Sequence, residues 1–181
     1  MEKRKLILNL AISLDGFIAR EDGSFDWIVG DGGGDQLTEA TFEFNDFLES
    51  IDTVVMGKEA YLDSPEEGMK MFQSKKIYVA THQELTSEHE NVEFISGDIC
   101  SQVTEMLTEK GKDIWLYGGA GVADQFIKAD MIDDYIIGII PVILGSGRPL
   151  FLKDNPTLEL QLEECTAADG IVIMRYSKRE A

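Results

Sequence analysis

The feature that most constrains this chain is a repeated alternation between short apolar runs and segments with helical periodicity. The apolar runs have the length of strands, are rich in β-branched and aromatic residues, and are bounded by turn residues. The intervening segments repeat apolar residues at spacings of three and four, which predicts amphipathic helices. This order favours an α/β fold with a largely parallel sheet. The predicted strands are LILNLAI (6–12), TVVMG (53–57), KIYVAT (76–81), VEFIS (92–96), DIWLYGG (113–119) and YIIGIIPVIL (135–144).

The C-terminal part of the chain has a different pattern. Leucines alternate with polar residues over 158–163, and the run IVIMRY follows Gly170. Two consecutive strands joined by a short turn predict an antiparallel pair. Pro141 cannot donate a ladder hydrogen bond, so we expect it at the end or edge of its strand. The expected fold is a single three-layer α/β domain over residues 1–181, with a mostly parallel, mixed sheet that ends in an antiparallel strand pair.

Two segments near the N-terminus concern the candidate site. Six glycines between residues 13 and 35 predict a long loop, which in a compact domain is often functional. The spacing of apolar residues over 35–51 predicts an amphipathic helix that directs its acidic side chains to solvent. Thr41 falls near the edge of the apolar stripe of this helix, where its side chain could face a cleft beside the sheet. Short helices are also predicted over 98–110 and 121–129.

Composition excludes several classes of partner. The chain has 34 acidic against 16 basic residues and a formal net charge of -18, so it lacks the basic surface that nucleic acid requires. No apolar run approaches the roughly 20 residues of a membrane span. Its two cysteines, Cys100 and Cys165, show no CxxC spacing, which indicates a cytoplasmic protein and leaves open a single long-range disulfide.

Sequence motifs for metal binding and hydrolysis are missing. The chain has 2 histidines, too few to nominate a zinc site, and its acidic residues do not follow the EF-hand pattern. The phosphate-binding GxxxxGK[ST], zinc-binding HExxH and nucleophilic GxSxG motifs do not occur. We therefore expect neither a metal cofactor nor a hydrolase.

The strongest local signal is a glycine cluster, Gly118, Gly119 and Gly121 with Ala120, at a predicted strand-to-helix turn. Glycines there allow a ligand to approach the backbone, and the free N–H groups of the first helical turn attract phosphate. The cluster matches the dinucleotide-binding pattern GxGxxG only in part, because Asp124 occupies the third glycine position. A tight turn that needs glycine only for its backbone geometry is the alternative.

Polar residues also follow two other predicted strands. Gly57 and Lys58 follow one strand, and Thr81 and His82 end another. The carboxyl ends of parallel strands lie at one edge of a sheet, where ligands gather, so these side chains could hold phosphate together. Each of them alone would more often be an ordinary surface residue.

Several separated segments occur in one order along almost the whole chain: SLDGFIA (13–19), DW (26–27), DTVVMG (52–57), YGG (117–119), IDD (132–134) and IPVILGSGRPLF (140–151). This set resembles the riboflavin-biosynthesis reductase domain, a member of the dihydrofolate reductase-like superfamily. The resemblance implies an eight- or nine-stranded α/β sheet and NADPH as hydride donor. It also implies a pterin-like or ribityl-aminopyrimidine substrate and a homodimer.

The resemblance also assigns roles to individual positions. The pyrophosphate of the cofactor would be held by Gly118, Gly119, Ala120 and Gly121 from one side and by Gly57 and Lys58 from the other. Thr81 and His82 would lie near the adenosine 2′-phosphate. The nicotinamide and the substrate would be bordered by Ser13, Asp15, Gly16 and Trp27, and Thr41 occupies the place of the helix acid that folate reduction needs. Many relatives read Gly-Arg-x-Thr-Tyr where this chain has Gly57-Lys58-Glu59-Ala60-Tyr61.

The leading hypothesis is an NADPH-dependent reductase that acts on CH-OH or CH-NH groups of a small heterocyclic substrate. It would be of the 5-amino-6-(5-phosphoribosylamino)uracil reductase or dihydrofolate reductase-like type. Asp15 is the candidate catalytic acid, with a turn residue beside Gly16 as the alternative interpretation. The rival hypothesis is a nucleotide-binding or sensor protein that kept the scaffold without turnover, which Ala60 and the missing helix acid motivate.

Overall fold

The computed structural model describes residues 3–179; residues 1, 2, 180 and 181 of the predicted domain lie outside them. Its centre is an eight-stranded sheet in the order β5-β4-β3-β6-β1-β7-β10-β9, beside a two-stranded sheet of β2 and β8. The strands are β1 (Leu6–Ser13), β2 (Phe17–Ala19), β3 (Ile51–Gly57), β4 (Lys76–Ala80), β5 (Val92–Ile95), β6 (Asp113–Gly118), β7 (Asp134–Ile140), β8 (Arg148–Pro149), β9 (Leu160–Ala168) and β10 (Ile171–Lys178).

The pairing directions confirm the predicted sheet. Strands β5, β4, β3, β6, β1 and β7 pair in parallel, in that order. β10 pairs antiparallel with both β7 and β9. Pro141 follows the last residue of β7, so its missing N–H removes no hydrogen bond from this strand.

Helices cover both faces of the sheet, as the prediction of three layers requires. α4 and α5 pack on one face, where Val103 and Phe126 join a core with Leu8 of β1. α1 and α3 pack on the other face, where Phe47 and Met69 join a second core. The helices are α1 (Phe44–Ser50), α2 (Lys58–Asp63), α3 (Glu66–Lys70), α4 (Ile99–Thr108) and α5 (Ala120–Lys128).

The prediction of a helix over 35–51 is wrong for the first half of that segment. α1 begins only at Phe44. Gln36 instead forms a β-bridge with Ala168, and the backbone N–H of Leu37 donates to the β9 strand. This segment extends the edge of the β9–β10 hairpin, and the long-range pairing overrides the helical periodicity of its sequence.

The other connections contain more regular structure than the sequence indicates. The glycine-rich segment 13–35 includes β2, which pairs antiparallel with β8. The connection between β3 and β4 forms the short helices α2 and α3 on either side of Ser64 and Pro65. Within residues 3–179, no helix combines the length and apolarity needed to cross a membrane.

Candidate functional site

A cavity of about 790 Å³ lies at the carboxyl ends of β1, β3 and β6. β1 pairs with β6 only as far as Leu8 and Leu116, whereas it continues beside β7 to Ser13. The two neighbouring strands therefore separate at this edge of the sheet. Crevices at the carboxyl ends of strands are the usual ligand sites of open α/β sheets, and this volume is typical of a small-molecule site.

One end of the cavity is formed by the N-terminus of α5. Gly119, Ala120 and Gly121 line it, and no side chain caps the helix. A Cβ atom on Gly121 would meet no atom within 4 Å, so the space beside the first turn is open. A Cβ atom on Gly57 would lie only 2.9 Å from Cγ2 of Val122, which shows how closely β3 approaches the helix. Uncapped N–H groups and the helix dipole make this end suitable for an anion.

Two cations line the same cavity, each beside a carboxylate. Nζ of Lys58 lies 3.0 Å from Oε1 of Glu59. Nη1 of Arg148 lies 3.1 Å from Oδ2 of Asp63. Both pairs are partly exposed, and such ion pairs contribute little stability, so an anionic ligand can take the place of the carboxylates at small cost.

The other part of the cavity has mainly apolar and aromatic walls. Trp115 and Tyr117 contribute from β6, Ala60 from α2, and Phe25 and Ile28 from the glycine-rich segment 13–35. Walls of this kind suit a planar, uncharged ring. The cavity thus combines an anion-binding end with an apolar compartment.

Asp15 and Ser13 do not line this cavity. The Ser13 hydroxyl donates to Oδ1 of Asp15 at 2.6 Å, and Oδ2 of Asp15 accepts the backbone N–H of Gly145 at 2.8 Å. The Ser13 hydroxyl is the largest cause that lowers the pKa of Asp15, and the backbone N–H groups of Leu144 and Gly145 lower it further. A carboxylate with a lowered pKa is a weak proton donor near neutral pH. These contacts favour the turn-residue interpretation that the sequence leaves open.

The other predicted substrate residues, Gly16, Trp27 and Thr41, do not line this cavity. Gly16 accepts the backbone N–H of Leu150 at 3.0 Å in the turn between β1 and β2. The side chain of Trp27 is buried, whereas its neighbours Phe25 and Ile28 line the cavity. Thr41 lines a separate cavity of about 320 Å³ on the α1 face of the sheet.

Most predicted cofactor residues do come together. Gly57, Lys58, Gly119, Ala120 and Gly121 line the cavity, and Gly118 adjoins it through a cis peptide bond to Gly119.

Thr81 and His82 follow β4 just beyond Ala80, which lines the cavity. The Thr81 hydroxyl accepts the backbone N–H of Gln83, and Oε1 of Gln83 accepts from Nζ of Lys58 at 3.3 Å. These two residues therefore lie at the rim beside Lys58.

Arg148 and Asn9 line the cavity, and neither was predicted as a site residue. Arg148 belongs to the segment GSGRP, which carries part of the family resemblance, so its position in that motif was an available signal. Asn9 is the polar residue that interrupts the apolar run of β1, and it lines the cavity. Among residues 3–179, no three His, Cys, Asp or Glu side chains are grouped so that they could hold a metal ion.

Comparison with known proteins agrees with this architecture. The sequence profile described as RibD C-terminal domain matches residues 4–174. The chain is 38% identical to the uncharacterized protein YwjB of Bacillus subtilis (strain 168). The alignment spans 181 positions and covers 96% of this chain and 98% of YwjB.

Solved structures with the same fold include two reductases. One is the diaminohydroxyphosphoribosylaminopyrimidine deaminase/5-amino-6-(5-phosphoribosylamino)uracil reductase of Thermotoga maritima, with a TM-score of 0.70, 17% identity, and coverage of 98% of this chain and 57% of that one. The other is the dihydrofolate reductase of Enterococcus faecalis in complex with NADP(H) and RAB-propyl, with a TM-score of 0.66, 17% identity and 97% of each chain covered. The fold is thus dihydrofolate reductase-like.

Proposed function

We propose that this chain, which belongs to the RibD C-terminal domain family, is an NADPH-dependent reductase that acts on a small heterocyclic substrate. The substrate would be of the 5-amino-6-(5-phosphoribosylamino)uracil or dihydrofolate type, and the reaction would reduce a C=N or C=O group to the CH-NH or CH-OH level. The observation that carries the proposal is the single cavity that joins the uncapped N-terminus of α5 to an apolar compartment between β1 and β6.

The residues at the anion-binding end fit a dinucleotide. The backbone N–H groups at Gly119, Ala120 and Gly121 would hold the pyrophosphate, and Lys58 would approach it from the opposite side. Thr81 and His82 at the rim would lie near the 2′-phosphate. A bound nicotinamide dinucleotide would supply the hydride for the reduction.

The chain's own residues would then act by positioning and by exclusion of water. The apolar walls formed by Trp115, Tyr117, Phe25 and Ala60 would hold a planar substrate against the cofactor ring. Such orientation lowers the barrier of a reaction between two bound partners. Arg148 and Lys58 would balance negative charge on the ligands, because each can exchange its carboxylate partner for an anion.

The structures of known reductases support the choice of substrate class. The protein from Thermotoga maritima is described as an aminouracil reductase, and that from Enterococcus faecalis is a dihydrofolate reductase bound to NADP(H). The absence of an acid at Thr41, together with the exclusion of Thr41 from the main cavity, favours the aminouracil type over reduction of folate itself.

The test is oxidation of NADPH in the presence of aminopyrimidine, pterin and carbonyl compounds, followed through the absorbance of the reduced nicotinamide. The proposal expects substrate-dependent oxidation with at least one aminopyrimidine. The rival nucleotide-binding function expects that NADPH binds and stabilises the fold while every compound leaves it unoxidised. No response to NADPH at all would contradict both functions.

The expected homodimer stays a prediction. Sedimentation equilibrium tests it, with twice the chain mass of 20.2 kDa as the expected result. A species at the mass of one chain would contradict it.

A further inference from the structure

We infer that the side-chain amide of Asn9 is a substrate-binding group that donates a hydrogen bond to a carbonyl oxygen on an uncharged, planar ring. The inference rests on the proposed function, because it concerns the apolar compartment in which the substrate would lie. It adds a specific contact to that function and a chemical requirement for the ring.

The position of Asn9 is fixed by its backbone. Asn9 directly follows Leu8, the last residue of β1 that pairs with β6. Its carbonyl oxygen accepts the indole N–H of Trp115 at 2.8 Å, and Asn9 stays in register with Ile136 of β7 on the other side of β1. The residue is only 9% exposed, so its side chain has little freedom to reach bulk water.

The side-chain nitrogen of Asn9 is buried and has no hydrogen-bond partner among the described residues. Buried amide groups are almost always paired, and an unpaired one costs stability, so each exception requires an explanation. Four other side-chain atoms of the described residues are also buried without a hydrogen-bond partner. Of the five residues that carry these atoms, Asn9 lines the cavity and the other four do not. The other four atoms are Nε1 of Trp27, Oδ1 of Asp124, Oη of Tyr135 and Oδ1 of Asn155.

The alternation of side chains along β1 decides which part of the cavity Asn9 faces. Leu8 and Leu10 pack with the core that contains α5. Ile7 packs with the opposite core, which contains Trp115 and against which Ala60 of α2 packs. Asn9 has the same parity as Ile7, so its side chain lies on the α2 side of the sheet. It therefore faces the apolar compartment and not the anion-binding end, and rotation of the amide about the Cβ–Cγ bond presents its buried nitrogen to a ligand there.

The chemistry of this compartment defines what Asn9 can bind. An amide N–H is a neutral donor and needs a lone pair on its partner. Trp115, Tyr117 and Ala60 offer no counter-ion, and a charged group placed among apolar walls would lose its hydration without compensation. A ring carbonyl oxygen is uncharged, accepts strongly and lies in the plane of a heterocycle.

Two ring compounds that differ in this feature provide the test. 5,6-Diaminouracil carries ring carbonyl oxygens, and 2,4,5,6-tetraaminopyrimidine carries amino groups in their place. Their Kd values would be measured by calorimetry on the NADPH-saturated protein. The variants are Asn9→Leu, which removes the polar atoms, and Asn9→Asp, which keeps the shape, replaces the donor by an acceptor and adds a negative charge. Asn45→Leu, at an exposed position of α1, is the control.

We expect a loss of affinity for 5,6-diaminouracil together with a rise in the melting temperature of the ligand-free protein. Both Asn9 variants weaken binding of 5,6-diaminouracil about tenfold or more. Asn9→Leu leaves the affinity for tetraaminopyrimidine and for NADPH unchanged, whereas Asn9→Asp strengthens binding of tetraaminopyrimidine, because its carboxylate accepts hydrogen bonds from the amino groups of that ring. Asn9→Leu also raises the melting temperature of the ligand-free protein by about 2–4 °C, because it removes an unpaired buried donor. A residue with a purely structural role would lower that temperature.

Three results overturn the inference. The first is unchanged affinity of Asn9→Leu for 5,6-diaminouracil, and the second is a wild-type protein that binds both rings equally or neither. The third is an Asn9→Leu variant that loses affinity for NADPH but not for 2′-phospho-ADP-ribose, which would assign the contact to the nicotinamide. Failure of the wild type to bind NADPH is a separate result that contradicts the proposed function itself.

Discussion

Asp31 fills the space in which Gly170 would carry a side chain: a Cβ atom on Gly170 would lie 2.5 Å from Oδ2 of Asp31. The reverse contact also exists, because the carboxylate of Asp169 occupies the corresponding space at Gly30. Oδ1 of Asp169 accepts the backbone N–H groups of Gly32 and Gly34 at 3.1 and 3.0 Å. The glycine-rich loop is thereby attached to the β9–β10 turn, and this fixes the segment that contributes Phe25 and Ile28 to the cavity.

This contact predicts a large loss of stability for Gly170→Ala. Gly170 and Gly97 both have positive φ, 72° and 84°, but a Cβ atom on Gly97 would meet nothing within 4 Å. Gly97→Ala therefore isolates the backbone cost, about 1–2 kcal/mol. We expect Gly170→Ala to cost at least about 1 kcal/mol more in urea unfolding, because Asp31 must also move. Equal losses for the two variants would contradict the contact.

The hydrogen bonds of Asp15 predict a pH-dependent effect on stability. Folding lowers the pKa of Asp15 below its usual value of 3.8, mainly through the Ser13 hydroxyl. Its stabilising contribution is therefore fully present above that usual value and is lost as the pH falls through the lowered pKa. Asp15→Asn should lower the melting temperature at neutral pH, and its difference from the wild type should shrink in acid.

The same variant distinguishes an anchoring role from an acid role. If Asp15 anchors the segment at Gly145, Asp15→Asn leaves the pH profile of NADPH oxidation between about pH 6 and 8 unchanged in shape. Asp46→Asn, which removes an exposed charge from α1, is the control for net charge. Loss of a titration step from the rate profile would restore Asp15 as the proton donor.

A substitution at Gly121 can test ligand binding without destabilising the fold. A side chain there would enter open space, and a carboxylate at a helix N-terminus stabilises the helix. Gly121→Glu should therefore fold at least as stably as the wild type and yet weaken NADPH binding about tenfold or more, because it brings negative charge to the phosphate site. Gly121→Gln, which has the same size without the charge, should have the smaller effect on Kd. Undiminished affinity in Gly121→Glu would exclude this end as the phosphate site.

Lys58 should make the binding of NADPH sensitive to salt. Its Nζ lies beside Glu59 and Gln83 at the cavity, 3.0 and 3.3 Å from their oxygens. Lys58→Met should raise the Kd for NADPH about tenfold and reduce the dependence of Kd on ionic strength. Lys70→Met, at an exposed position in the last turn of α3, should change neither quantity. If the two variants behave alike, Lys58 does not contact the cofactor.

The sequence predicted the elements that depend on local pattern. Strands β1, β3, β4, β5, β6 and β7 follow from apolar runs. The β9–β10 hairpin follows in part from the alternation over 158–163 and the turn at Gly170, but β9 continues to Ala168, beyond that alternation. The helix α5 and its glycine-rich start were predicted for the same reason, since their signals lie within a few residues. The family resemblance supplied the dihydrofolate reductase-like fold, which the solved structures confirm.

The predictions that failed or stayed incomplete depend on contacts between distant parts of the chain. Gln36 pairs with Ala168, and the local sequence pattern around Gln36 does not predict a partner so distant along the chain. Arg148 reaches the cavity because β8 pairs with β2, a strand hidden in a glycine-rich segment. The role of Asn9 depends on where β6 separates from β1, which only the register of the sheet reveals.

The most direct test of the account is thermal unfolding of the wild type with and without NADPH, with NADH and the Gly121→Glu variant as comparisons. A ligand present at 100 times its Kd stabilises the folded state by about 2.7 kcal/mol, which corresponds to a shift of several degrees. We predict a clear shift with NADPH in the wild type, and smaller shifts with NADH in the wild type and with NADPH in Gly121→Glu. The same melting temperature with and without NADPH would contradict the claim that this cavity binds a nicotinamide dinucleotide.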